Sequence, residues 1–208
     1  MFLWSDEGII LVIKAYSSGY RMIDIFTKKH GRRLGLARPS KNTQFPTFSS
    51  VETNYGSRNE QSIGFWQLQR GSNGWIHVSR SAMRISVCQK ICFLITQLAP
   101  LAVPHEELFG VVEYIARNMQ YFSDHETLSA YAYFEFFLLT STGFGIDPQT
   151  RNADMINNLW ANGILSRIPR ERVELSLEVT GQEICKHAPN YGNLFSGTSN
   201  LPFFHEAV

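Results

Sequence analysis

Six cations fall within fourteen residues: Lys28, Lys29, Arg32, Arg33, Arg38 and Lys41. No acid stands between Asp24 and Glu52. A run of this kind can track a phosphate backbone, because each neutralised phosphate releases condensed counterions. Aromatic residues lie close by: Tyr20, Phe45, Phe48, Tyr55, Phe65 and Trp66. Nucleobases stack on exposed rings at about 1–3 kcal/mol each. We take Tyr20 and Trp66 as the stacking candidates and read Phe48 and Phe65 as core. Such a stripe suits nucleic acid but does not separate DNA from RNA.

Covalent chemistry has no comparable signal. The sequence has no G-x-S-x-G, no Walker A loop, no H-E-x-x-H and no G-x-G-x-x-G. Gly143-Phe-Gly145 follows a helical stretch rather than a strand, so it reads as a helix stop. Cys88 and Cys92 sit one helical turn apart among Met, Val, Ile and Leu, as small buried hydrophobes do. With Cys185 they make three cysteines. That is too few for a disulfide framework or a four-thiolate zinc site. The six histidines show no ligand spacing. Glu106 and Glu107 suit the first turn of a helix. We expect a protein that is not an enzyme and holds no metal or cofactor.

The basic stripe must be carried by strands. Residues 7–16 and 20–27 are rich in Ile and other apolar residues and are separated by Ser17-Ser18-Gly19. His30-Gly31 reads as a turn. Residues 32–38 alternate, with Leu34 and Leu36 on one side and Arg33, Gly35 and Ala37 on the other. We place the leucines inward and Arg33 outward. Pro39 ends the pairing. Residues 48–55 and 62–70 complete five short strands. This pattern suits a small closed barrel, of which the five-stranded OB-fold is a common type, and periodicity alone does not separate it from an SH3-like barrel. Gly71-Ser72-Asn73-Gly74 then breaks the chain. Beyond it Met83, Val87, Ile91, Leu94 and Leu98 recur at helical spacing. Residues 106–122 form a second helix. A third, capped by Thr127 or Ser129, runs to about residue 142 and buries Ala130, Phe134, Phe137 and Leu138. Residues 156–165 and 170–187 are further helical segments.

The chain has 208 residues, 44% hydrophobic and 18% charged, which excludes wholesale disorder. The reading is α+β: an N-terminal five-stranded OB-fold barrel over 1–79, then an α-helical domain over 80–208. Residues 1–80 hold 11 Lys/Arg against 5 acids, a net +6, and residues 81–208 hold 8 against 13, a net −5. A basic first half points to a polyanionic partner. The longest apolar run, 91–103, is broken by Gln97 and Pro100, short of a membrane span. Asp6 and Glu7 stand where a signal peptide carries bases, so a cytoplasmic location is expected.

Several phrases resemble the RecO family of bacterial recombination mediators. In the first half these are Trp4-Ser-Asp-Glu-Gly8, Glu7-Gly-Ile-Ile-Leu11, Ile25-Phe-Thr-Lys-Lys-His-Gly31 and Leu34-Gly-Leu-Ala-Arg38. In the second half they are Phe134-Glu-Phe-Phe-Leu-Leu139 and Gly143-Phe-Gly-Ile-Asp147. The likeness covers about residues 4–147 and is strongest to alphaproteobacterial members. It implies an OB-fold followed by a helical domain. It also implies binding of single- and double-stranded DNA, annealing of complementary strands, and RecA loading on SSB-coated DNA together with RecR. Many members carry a four-cysteine zinc motif after the Gly-Phe-x-x-Asp turn. Here Pro148-Gln-Thr-Arg-Asn152 follows, in keeping with folding without metal.

The resemblance further implies a contact with the acidic SSB C-terminal tail. A tail that is acidic and ends in an apolar residue needs an apolar pocket rimmed by Lys or Arg. Arg84 and Lys90 on the first helix and Arg117 on the second are the candidates. The alternative is an RNA-binding OB-fold protein of translation or RNA decay, which competition between the two nucleic acids would distinguish.

Overall fold

The computed structural model of the chain describes residues 2–38, 45–59, 62–70, 81–144 and 168–189. Five strands form a closed barrel: β1 (Phe2–Ala15), β2 (Arg21–Thr27), β3 (Gly31–Ala37), β4 (Ser50–Ser57) and β5 (Gly64–Arg70). Their order round the barrel is β1-β2-β3-β5-β4, with only the β3–β5 pairing parallel. This is the OB-fold arrangement that the family resemblance implies.

β1 is long because it serves two neighbours. Its first half, from Phe2 to Ile9, pairs with β4, and its second half, from Gly8 to Ala15, pairs with β2. At the crossover the chain needs Gly8, since a Cβ there would stand 2.5 Å from the Ile25 side chain. A bulge between Ile10 and Val12 follows. Bulges re-aim side chains locally, and here Ile9, Ile10 and Leu11 are all buried in succession.

The barrel interior mixes aliphatic and aromatic side chains in one cluster. Ile10, Ile23, Ile25, Val51, Tyr55 and Trp66 form the core, with Trp4 packed against it. The Tyr55 and Trp66 rings lie 4.6 Å apart, and Trp4 stands 5.0 Å from Tyr55. Space for these rings comes from β3. A Cβ on Gly35 would fall 2.5 Å from the indole nitrogen of Trp66. The small residues of β3 therefore point inward together with Arg33, while Leu34 and Leu36 face outward. This reverses the assignment expected for β3. Large rings on the facing strands outweigh the inward preference of two leucines.

Two helices share a compact unit with the barrel, which extends to Tyr121. They are α1 (Ala82–Leu98) and α2 (Glu106–Asn118). Cys92 of α1 lies 3.8 Å from the Ile10 carbonyl oxygen, and Phe109 of α2 packs 5.7 Å from Phe26. Burial pushes the Cys92 thiol up to about 12 and the Cys88 thiol well above its ordinary value. Both cysteines are core. The residues between strand and helix, 71–80, lie outside the described ones, as do 145–167.

The second unit begins at Phe122 and contains α3 (Asp124–Ser141) and α4 (Arg170–His187), which pack on each other. α3 starts earlier than expected. Ser123, not Thr127 or Ser129, is its cap, and it forms a reciprocal capping box with Glu126. Thr127 is instead buried and donates its hydroxyl to the Ser123 carbonyl. The helix stops at Gly143, whose φ is +84°. Phe144 N–H reaches Leu139 O at 2.9 Å and Gly143 N–H reaches Thr140 O at 3.4 Å. This is a Schellman motif, which favours glycine at that position. Inside the unit Thr180 donates to the buried Glu135 carboxylate at 2.5 Å.

Candidate nucleic-acid interface

The β2–β3 hairpin carries most of the basic stripe, and its geometry divides the six cations. Lys28 and Lys29 occupy the turn. That turn is held by Asp6, whose carboxylate accepts the Lys29 backbone N–H at 2.7 Å and meets His30 Nδ1 at 3.1 Å. The His30 ring stacks on Trp4 at 3.9 Å and 8°. Gly31 leaves the turn with φ +68°, and a Cβ there would strike the Val103 carbonyl oxygen at 2.2 Å. With the turn backbone fixed on Asp6 and Trp4, the two lysine side chains are left to solvent. Lys28 lies 3.9 Å from Glu7, both partly exposed. Such pairs contribute about 0–1 kcal/mol, so Lys28 stays available to a stronger anion.

Arg32 is turned to a different task. Its guanidinium meets the Asp24 carboxylate at 2.8 and 2.9 Å. It also donates to the carbonyls of Thr96 at 2.6 Å and Ala99 at 3.3 Å. These are the last carbonyls of α1, where a cation complements the helix dipole. Burial holds the Asp24 carboxyl above its ordinary range, and the Arg32 hydrogen bond and charge pull it part of the way back. Arg32 is thus a corner brace between barrel and helix, not an exposed phosphate contact. Arg33 is also corrected: it is 9% exposed and lies over the Phe2 ring at 5.9 Å. Lys41 falls outside the described residues.

Arg38 emerges at the opposite end of the hairpin. Seven strand residues at about 3.4 Å each put it about 24 Å from Lys29. Its Nε donates to the Tyr20 hydroxyl at 2.8 Å, and its guanidinium lies 5.0 Å from the Tyr20 ring centre. Tyr20 in turn meets Phe65 edge-on at 5.8 Å. Tyr20 closes the β1–β2 loop, and Phe65 follows the β4–β5 loop. These two loops flank the ligand face of OB-folds.

Two aromatic expectations exchange places. Trp66 is 4% exposed, with its indole N–H donated to the Ile23 carbonyl at 3.3 Å, so it is core rather than a stacking ring. Phe65, expected in the core, is 53% exposed. Their alternation is fixed by Gly64 and Gly35, which leave room only on the inner side. The register of β5 against β3, Leu36 beside Phe65, is the signal that sequence reading lacked.

The candidates for a peptide contact also separate. Lys90 is 3% exposed within α1, so it does not rim an open pocket. Arg84 is half-buried and donates to the Gln120 carbonyl at 3.3 Å. Arg117 is exposed and pairs with Glu113 one turn away at 2.5 Å. Among the described residues there is no cluster of three or more side chains able to hold a metal ion. No described helix is long and apolar enough to cross a membrane.

No family model matches the chain. Curated proteins do. The DNA repair protein RecO of Wolbachia sp. subsp. Drosophila simulans (strain wRi) is 23% identical over 194 residues, covering 90% of this chain and 73% of that protein. RecO of Wolbachia pipientis wMel is 25% identical over 224 residues, 88% of this chain and 91% of the relative. RecO of Rhodopseudomonas palustris (strain BisB5) is 28% identical over 155 residues. In that pairing 69% of this chain matches and spans 58% of the relative. The relatives agree with one another in name, and the chain is similar to DNA repair proteins of the RecO family over 69–90% of its length.

Proposed function

We propose that this chain acts in DNA repair and recombination as a DNA-binding mediator. The barrel holds single- and double-stranded DNA, brings complementary strands together, and supports RecA loading on SSB-coated DNA with RecR. The observation that carries the reading is the loop-flanked end of an OB barrel displaying Tyr20, Arg38 and Phe65 outward. Lys28 and Lys29 add cations at the far end of the same hairpin. Annealing requires no covalent step. It requires screening of phosphate repulsion while two strands are held close, which a basic surface supplies. The partners SSB and RecR rest on family likeness. For the SSB tail, Arg84 and Arg117 remain the candidate rim cations.

The test uses the full chain and a single-stranded oligonucleotide across a range of salt. Three outward cations give a log–log slope of about −2. Changing Lys28, Lys29 and Arg38 together to Glu should weaken binding to every sequence alike and flatten that slope. Unchanged affinity and slope in a folded triple variant would overturn the assignment of these residues. Preference for RNA over DNA of the same length and sequence would overturn the DNA reading.

A further inference from the structure

Helix α2 buries Leu108, Phe109, Val112 and Ile115 on one side. Its opposite side carries Glu106, Glu107, Gly110, Tyr114 and Arg117, all exposed. Spaced at three and four residues, they form one stripe along the helix. Val103 just before the helix is 42% exposed, Tyr114 55%, and Tyr121 just after the helix 76%. Gly110 is the anomaly. Glycine is a poor residue in a helix interior. Its φ is not in the left-handed region, and a Cβ there would meet nothing within 4 Å. Nothing among the described residues requires glycine at that position.

A missing side chain on an exposed helix face lets another backbone or ring come close. The order of the stripe specifies what comes. It is symmetric about Val112: Gly110 and Tyr114 stand two positions to either side, Glu107 and Arg117 five, and Val103 and Tyr121 nine. Two copies of α2 packed antiparallel about a twofold axis at Val112 therefore set each Gly110 level with the other copy's Tyr114, about 3 Å along the helix from the axis. Glu106 and Glu107 of each copy then lie level with the other's Arg117. A parallel arrangement would instead set acids against acids and Arg117 against Arg117. We infer that this stripe is a self-docking surface through which two copies of the chain form a twofold dimer. Tyr114 is its anchor and Gly110 the seat for the ring, and the carboxylate–guanidinium pairs fix the antiparallel direction. Arg117 pairs with Glu113 on its own helix. Exposed pairs of that kind are weak, so its guanidinium can exchange to the other copy's carboxylates. One pair of 13-residue helices covers less surface than a standard interface, so the dimer is transient and fills at high concentration. Self-association through α2 does not depend on the nucleic-acid reading of the barrel.

Sedimentation velocity of the full chain, without DNA, tests it across about 1 to 300 μM, where small interfaces associate. The wild type should pass from monomer to dimer and no further. Arg117→Glu alone, and Glu106→Arg with Glu107→Arg, should each abolish the dimer. An equimolar mixture of these two variants should restore it, because both charge contacts re-form with their signs exchanged. Gly110→Gln should raise the thermal midpoint of the monomer, since Gln is the better helix former, yet weaken the dimer about tenfold or more. Circular dichroism should show each variant folded. A wild type that stays monomeric over the whole range overturns the inference. So does a dimer that survives both Gly110→Gln and Arg117→Glu, or a mixture of the charge variants that stays monomeric.

Discussion

Arg32 shows how one residue in a charge run can leave the run's function altogether. It stands between Arg33 and the lysine turn in sequence, yet it joins Asp24 to the end of α1. Removing one partner of a buried pair is costly because the other charge is left uncompensated. Arg32→Ala should therefore destabilise the protein at neutral pH by about 3 kcal/mol, measured by urea unfolding. The pH dependence has a definite sign. The folded-state pKa of Asp24 lies above its ordinary value of 3.8 because of burial. Its contribution to stability is complete below that ordinary value and is lost as pH rises through the folded one. The loss is larger without Arg32, so the gap between variant and wild type should narrow as pH falls. A gap independent of pH would show that Asp24 is not the group involved. Sequence alone could not have found this pair: Asp24 lies eight residues away, and its burial depends on helices packed over β2.

At the level of elements, α3 gives the cleanest case of local encoding. Ser123 accepts from the Glu126 backbone N–H, and the Glu126 side chain returns to Ser123. Ser123→Ala should cost about 1 kcal/mol in thermal or urea unfolding. The hydrogen bonds from the Ser123 backbone and hydroxyl hold the Glu126 carboxyl below its ordinary value. That stabilisation is present above the ordinary carboxyl range and is lost as pH falls through the lowered pKa. The variant should therefore lose part of the acid limb of the wild-type stability curve. The capping signature, Ser followed by Glu three residues on, is present in the sequence, but Thr127 and Ser129 offer competing hydroxyls nearer the apolar stripe. Strand existence was easier to read, since turns and apolar runs mark all five. Which side of β3 and β5 faces inward was not. That choice depends on Trp66 meeting Gly35 across a parallel pairing between strands 29 positions apart. Local alternation gives the period but not which phase is buried. The Asp6–His30–Trp4 support of the lysine turn is hidden in the same way, since His30 lies 24 residues from Asp6 and further from Trp4, and meets them only where β1 pairs with β2.

For the molecule as a whole, the charge division remains the broadest feature legible in the sequence, +6 before residue 81 and −5 after it. The contiguous stripe within the first half was not one surface, because an antiparallel hairpin sends its turn and its ends in opposite directions. The double service of β1 has a consequence of another kind. Residues 2–7 are the only described partners of one side of β4, from Glu52 to Ser57. Without them β1 keeps only the Gly8–Val51 and Ile9–Ser50 pairings to β4, and β4 from Glu52 onward presents a row of unpaired N–H and C=O groups. A bare edge of that sort recruits a strand from another molecule. Deleting residues 2–7 should therefore yield a chain that forms assemblies larger than a dimer as concentration rises, seen by light scattering, where the intact chain does not. A deletion variant with the same scattering as the intact chain at every concentration would show that the β4 edge finds cover within its own molecule. The first few residues thus act as a guard against intermolecular pairing, and damage there would be read out as aggregation before it was read out as lost binding.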